Sequence, residues 1–139
     1  MPDTAAAVTG PAPNPPRPDD RRAVGAYGEQ LAAQHLLADG LTLLARNWRC
    51  RHGELDLVGH DPASGPGTLV FCEVKTRRSG RYGPPAQAVV GPKAARIRRL
   101  AAQWMADTGT HLADVRFDVI SVLVGAGTVV ELEHLRGAF

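Results

Sequence analysis

The sequence has no long run of apolar residues. Hydrophobic residues make up 44% of its 139 positions, enough for one ordinary globular core. No stretch approaches the roughly 20 apolar residues that a helix needs to cross a bilayer. The first residues, Met1 to Val8, include no basic region followed by an apolar one, so we predict no signal peptide. These absences predict a cytoplasmic protein.

Cysteine is scarce as well. The chain has only two, Cys50 and Cys72, which gives neither a disulfide framework nor a zinc-binding spacing. Cys50 and His52 together would offer a metal only two ligands in a basic loop, which is weak evidence for a metal site. We expect Cys72 to be a small core residue.

Acidic residues are absent from residues 75–99, although that stretch holds half of the chain's 16 basic residues. The small net charge of +2 for the whole chain does not reflect this local excess of basic residues. Such a segment is a candidate surface for a polyanion such as nucleic acid. A solvated loop followed by a solvated helix face would have the same composition. The basic residues are Lys75, Arg77, Arg78, Arg81, Lys93, Arg96, Arg98 and Arg99.

Periodic apolar patterns are missing from residues 1–18, which are rich in Ala and Pro. We predict a disordered tail there and a single domain over residues 19–139. Capping signals predict one helix from Asp19 or Asp20 to Asp39, ended by Gly40, and another that begins at Pro92. Strands are predicted at residues 41–48, 54–58, 69–75, 115–124 and 128–135. This order predicts an α/β sandwich around one mixed sheet.

Two of the predicted strands carry charged residues at positions that buried strands usually fill with apolar ones. If the turn between these strands is symmetric about residues 64–65, Asp56 lies opposite Glu73 at a separation of roughly 5 Å. Two carboxylates that close repel each other, which raises one pKa unless a cation lies between them. Because Mg²⁺ prefers carboxylate oxygens and water, the pattern predicts a divalent-ion site.

Alternation along the strands decides which residues share a face with these acids. Lys75, two residues beyond the second acid, is placed to contact a phosphate oxygen or an attacking water. Glu54 is placed on the face of Asp56 as a weaker candidate, with Leu55 and Leu57 on the opposite face. A structural ion pair on a half-exposed sheet would use the same residue types.

Two further carboxylates lie in predicted elements. Glu29 is surrounded on its helix by small and apolar residues three and four positions away, which indicates that it faces the protein. An exposed glutamate near the helix N-terminus, favoured by the helix dipole, is the alternative. We expect Asp118 to form a structural salt bridge with Arg116 or with a basic helix residue.

The ordered set of these residues resembles the restriction-endonuclease-like nucleases of the PD-(D/E)xK superfamily. More closely, the chain is similar to the YraN-like family of uncharacterised bacterial proteins, and also to archaeal Holliday junction resolvases. The proline of the superfamily's name is missing, since Leu55 precedes Asp56. The pieces that match are Gly28-Glu29, Gly53-Glu54-Leu55-Asp56-Leu57, Phe71-Cys72-Glu73-Val74-Lys75-Thr76-Arg77, Tyr82-Gly83, Lys93, Arg116-Phe117-Asp118 and Gly137-Ala138-Phe139.

The resemblance implies a restriction-endonuclease-like three-layer sandwich, with a central mixed sheet and flanking helices. It also implies that Asp56 and Glu73 bind a divalent metal, Mg²⁺ or Mn²⁺, that Lys75 is the catalytic lysine and that Glu29 completes the site. We expect the backbone carbonyl of Val74 to be a further metal ligand.

The hypothesis that follows is a metal-dependent endonuclease acting on DNA, with branched or otherwise structured DNA as one candidate substrate. Resolvases act as dimers on symmetric substrates, so a homodimer is one expectation. The alternative functions are a non-catalytic nucleic-acid-binding module that retains the fold, and a scaffold with a structural ion pair. The residues expected to hold the nucleic acid backbone are Arg77, Arg78, Arg81, Lys93, Arg96 and Arg99.

Overall fold

The computed structural model describes residues 21–63, 66–78, 91–112, 114–125 and 128–139. These residues form, in chain order, α1 (Arg21–Ala38), β1 (Thr42–Cys50), β2 (Gly53–Asp61), β3 (Thr68–Arg78), α2 (Gly91–Thr108), β4 (Asp114–Gly125) and β5 (Thr128–Leu135). The predicted tail lies outside the described residues, so the division of the chain at residue 18 remains a prediction. Neither of the described helices is long and apolar enough to span a bilayer.

Strand pairing confirms the predicted mixed sheet. The strands lie in the order β1-β2-β3-β4-β5. β1 pairs with β2, β2 with β3 and β4 with β5, each time antiparallel. β3 and β4 are parallel, and α2 provides the crossover that a parallel pair requires. Each predicted strand is present, and the observed strands extend one to three residues beyond most predicted ends.

One apolar core on each face of the sheet agrees with the predicted three-layer sandwich. Successive residues of β3 alternate between the two cores, as the two-residue period of a strand requires. The core under α1 includes Ala32, Leu36, Val70 and Cys72. The core under α2 includes Leu69, Phe71, Leu100 and Trp104.

The end of α1 is fixed by Gly40, as predicted. Gly40 has φ of 97°, a left-handed conformation that glycine adopts without steric cost. The N–H of Gly40 donates to the carbonyl of Leu37, and the N–H of Leu41 donates to that of Leu36, the hydrogen-bond pattern of a Schellman motif. This ending turns the chain directly into β1.

Leu55 and Leu57 do not share a face, which corrects the simple alternation expected for β2. Leu55 packs in the core under α2 and Leu57 in the core under α1. The backbone of the neighbouring strand is irregular at this point, because Asn47 has φ of 52° between the Arg46–Leu57 and Trp48–Leu55 pairs. Two residues apart in β2, these leucines nevertheless lie on opposite faces, so one-to-one alternation does not hold beside Asp56.

Candidate active site

The register of the β2–β3 hairpin brings two acids together. Leu57 pairs with Cys72, and the pairing continues in step to Asp61 and Thr68. Continued one residue past the last backbone pair, this register aligns Asp56 with Glu73. This is the alignment about residues 64–65 that the sequence predicted.

Asp56 occupies the point at which the hairpin stops pairing. The backbone pairs of β2 with β3 end at Leu57 and Cys72, and beyond them the N–H of Val74 donates to Oδ2 of Asp56 over 2.8 Å. A side-chain oxygen therefore takes the place of a backbone acceptor. This hydrogen bond holds the Asp56 carboxyl group against β3.

The environment of Asp56 disfavours the ionised form of its carboxyl group. Burial raises its pKa to about 7, and the negative charge of Glu73 adds to the shift, while the Val74 N–H opposes it. A cation bound between the two acids would offset their repulsion.

Lys93 contacts Glu73 directly. Its Nζ lies 2.9 Å from Oε2 of Glu73, and the two side chains are only 33% and 16% exposed. Lys93 is the third residue of α2, so the first turn of this helix supplies positive charge to the acids. Lys93 is among the residues predicted to hold nucleic acid, and in the structure it lies beside a predicted metal ligand.

Glu29 comes from α1 and lies within electrostatic reach of the same acids. Burial raises its pKa, as do the charges of Glu54 and, more weakly, Glu73, whereas Arg46 and a hydrogen bond from Asn47 lower it. Glu29 is half-buried, which agrees with the prediction that it faces the protein.

Gly28 explains how α1 approaches β3 closely enough to position Glu29. A Cβ atom at residue 28 would lie 1.9 Å from Oγ1 of Thr76, far inside van der Waals contact. Only glycine fits here without a shift of helix or strand. At the preceding glycine of the helix, Gly25, a Cβ atom would have no neighbouring atom within 4 Å.

The acids line a cleft of about 330 Å³, which we call the acidic cleft. It brings Glu54 together with Asp56 and Glu73, so the weaker sequence candidate shares the surface of the stronger ones. Glu54 also forms an ion pair with Arg49 of β1 at 3.7 Å. The lining residues are Gly53, Glu54, Asp56, Glu73, Lys93, Arg96 and Ile97.

Lys75 lies close to the acids on the same strand. It is half-buried, and burial lowers its pKa. The positive charge of Lys93 lowers the pKa further, while Glu73 opposes the change. Lys75 and Lys93 are therefore both within electrostatic reach of one carboxylate.

The predicted basic segment is divided between two places. Arg96 lines the acidic cleft, and Arg99 is exposed on α2. Arg77 and Arg78 line a second cleft of about 290 Å³ that they share with Arg21 of α1. Arg81 lies outside the described residues. Basic side chains thus stand both in the acidic cleft and at the end of the strand that carries Glu73.

The donor chemistry of the acidic cleft fits Mg²⁺ or Mn²⁺, because its closest ligands are carboxylate oxygens. Among the described side chains, no third carboxylate comes within 4.8 Å of the ligand oxygens of both Asp56 and Glu73. An ion held by these two acids would therefore have no third carboxylate among its nearest ligands in the described part of the chain. Asn47 and Arg46 of β1 lower the pKa of Glu29. Neither residue was predicted to belong to the site, since nothing in their local sequence distinguishes them.

Comparison with known proteins finds relatives over most of the chain. The profile of "Uncharacterised protein family UPF0102" matches residues 28–122. A UPF0102 protein of Frankia alni is 56% identical over 117 residues, 84% of this chain and 94% of the relative. One from Frankia casuarinae is 57% identical, with 84% and 96% covered. One from Rhodococcus jostii is 49% identical, again with 84% and 96% covered.

Proposed function

This chain belongs to the UPF0102 (YraN-like) family, described as uncharacterised, and we propose that it is a metal-dependent nuclease that hydrolyses phosphodiester bonds in DNA. The observation that carries the proposal is the meeting of Asp56 and Glu73. Both acids line one cleft with Lys93 and Arg96, and burial together with the charge of Glu73 raises the pKa of Asp56. Repulsion between two adjacent acids opposes folding, and a bound divalent cation would offset it.

Asp56 and Glu73 would hold the metal ion, and the Val74 carbonyl is a further candidate. In a strand the N–H and C=O of one residue point to the same edge, so the Val74 carbonyl is directed toward the side on which its N–H meets Asp56. A bound Mg²⁺ or Mn²⁺ would supply a water of lowered pKa and neutralise charge on the phosphate.

Lys75 would act on the scissile phosphate or on the attacking water. Its half-buried ammonium stands within electrostatic reach of Glu73, where a donor can stabilise the charge that develops on phosphate oxygens. Glu29 would hold a water of the metal's outer shell, since it is near the acids but not among their closest neighbours.

The DNA backbone would be held by basic residues on both sides of the acids. Arg96 and Arg99 stand on α2, whereas Arg77 and Arg78 end β3 beside Arg21. Contacts of this kind fix the position of a duplex without reading its sequence. We also propose branched DNA as one substrate of this nuclease and a homodimer as its assembly.

One observation favours a second candidate, a nucleic-acid-binding module that does not cut. Lys93 already neutralises Glu73 through a contact of 2.9 Å, as it would if the acids had only a structural role. Such a module would bind DNA in a salt-dependent way and would have no metal-dependent turnover.

The deciding experiment incubates the purified chain with linear, nicked and four-way DNA in the presence of Mg²⁺ or Mn²⁺. We expect cleavage by the wild type and a loss of at least about a hundredfold in Asp56→Asn and Glu73→Gln, while Asp107→Asn, an exposed carboxylate on α2, keeps full activity. Binding of DNA without cleavage under every metal condition would favour the binding module. Equal cleavage by all three variants would reject the assigned site.

A further inference from the structure

A histidine and aspartate cluster joins the end of α1 to β5, and none of its members lines the acidic cleft. Nε2 of His35 lies 3.1 Å from Nδ1 of His134, although the two residues are 99 positions apart in the sequence. Their rings meet edge to face with centroids 5.1 Å apart. Asp39, just beyond the end of α1, adds a carboxylate. One ligand atom from each of these three residues lies within 4.8 Å of the other two.

Asp118 fixes the orientation of His134. Nε2 of His134 lies 2.8 Å from Oδ2 of Asp118, which is completely buried at 0% exposure. Asp118 also accepts hydrogen bonds from the Arg116 guanidinium and from the Gly137 N–H. An ionised Asp118 accepts the Nε2–H of His134, which leaves the lone pair on Nδ1, the atom that faces His35.

We propose that His35, Asp39 and His134 form a binding site for a transition-metal ion such as Zn²⁺. The donors are Nε2 of His35, Nδ1 of His134 and one carboxylate oxygen of Asp39. Two imidazoles and one carboxylate are a ligand set that Zn²⁺ accepts, with a fourth position left for water. The hydrogen bond from His134 to Asp118 is the contact that commonly orients a metal-bound histidine and raises its basicity.

Charge around the cluster also favours a cation. The charged side chains linked to the cluster by ion pairs are three carboxylates and two guanidiniums. Their net charge is −1 when both histidines are neutral. Arg136 donates to Oδ2 of Asp39, which leaves Oδ1 without that contact. The five charged groups are Asp39, Asp61, Asp118, Arg116 and Arg136.

The position of this site predicts that a bound ion stabilises the fold. His35 lies in the last turn of α1 and His134 near the end of β5, so an ion held by both links two elements that are distant in the chain. Because the ion binds the folded chain, it raises the melting temperature. Imidazole ligands favour Zn²⁺ over Mg²⁺, which distinguishes this site from the carboxylates of the acidic cleft.

The test uses the full chain with Asp56→Asn, Glu73→Gln and Cys50→Ser, so that neither the acidic cleft nor the partly exposed thiol contributes. Calorimetric titration with Zn²⁺ and visible absorption with Co²⁺ report binding, and thermal melting reports stabilisation. We expect one ion per chain. His35→Gln and Asp39→Asn each weaken binding at least about tenfold and abolish the rise in melting temperature.

His111→Gln is the matched control, because His111 is exposed and outside the cluster, and it leaves the Zn²⁺ affinity unchanged. His134 is kept, since its replacement would also remove a hydrogen bond from the buried Asp118. The proposal is overturned if the background chain binds no Zn²⁺, or if His35→Gln and His111→Gln bind it equally well. Either result leaves the proposed nuclease function untouched, because the acidic cleft is already disabled.

Discussion

Nζ of Lys93 lies 2.9 Å from Oε2 of Glu73, and this contact ties the first turn of α2 to the strand that carries the proposed catalytic lysine. The lysine compensates one of two adjacent acids without a metal ion. Any cation that binds Glu73 must share it with Lys93 or displace the lysine.

Replacing Lys93 is expected to lower the stability of the metal-free protein and to increase its stabilisation by Mg²⁺. Lys93→Ala leaves Glu73 without its ion pair next to Asp56, so the free energy of unfolding without metal falls by about 1–3 kcal/mol. Mg²⁺ then stabilises the variant more than the wild type, since the lysine no longer competes. Urea unfolding with and without Mg²⁺ measures both effects. Arg99→Ala, an exposed residue of the same helix, is the control, and an equal response of the two variants would contradict the prediction.

The shifted pKa of Asp56 predicts that stability falls as pH rises from about 4 to 7. The folded chain holds the Asp56 proton up to about pH 7, whereas the ordinary pKa is 3.8. Between these values the folded state binds more protons than the unfolded state, so the free energy of unfolding decreases by at most about 1.4 kcal/mol per pH unit. Asp56→Asn removes this contribution. Urea unfolding at several pH values compares the two proteins, and parallel pH profiles would refute the shift.

A methyl group at position 28 is expected to destabilise the protein. Gly28→Ala places a Cβ atom 1.9 Å from Oγ1 of Thr76, and overpacking of this kind costs about 1–3 kcal/mol. Gly25→Ala is the matched control on the same helix, with nothing within 4 Å, and a gain of up to about 1 kcal/mol is expected there. Thr76→Ala removes two of the three contacting atoms and should restore part of the loss. Thermal melting of the single variants and of the double variant at residues 28 and 76 tests this, and additive effects at those two residues would count against the contact.

Arg96 is expected to contact a phosphate. It is exposed and lines the acidic cleft, so Arg96→Ala should weaken DNA binding uniformly across sequences and reduce the slope of log affinity against log salt by about 1. Fluorescence anisotropy over a range of salt concentrations measures that slope. Arg136→Gln, which removes a basic residue engaged with Asp39, should leave it unchanged. Equal slopes in both variants would place the nucleic acid elsewhere.

Local sequence was sufficient to predict the helices, the strands and the proximity of two acids across one hairpin. Gly40 could be identified as the end of α1 because only a residue tolerant of positive φ fits there. Asp56 could be placed opposite Glu73 because a hairpin has a register that its turn determines. The same reasoning was wrong for Leu55 and Leu57, which pack on opposite faces. Alternation requires a regularly paired strand, and the pairing of β2 with β3 ends at Leu57.

The sequence by itself therefore determined the elements of the fold and the acids that face each other across one hairpin, because these depend on residues close together in the chain. Only the tertiary structure decided that Lys93 contacts Glu73 and that Glu54 shares their cleft. It also brought His35 to His134 across 99 positions. These contacts depend on how the helices pack against the sheet, where the fit of side chains such as Thr76 against Gly28 sets distances that no local pattern encodes.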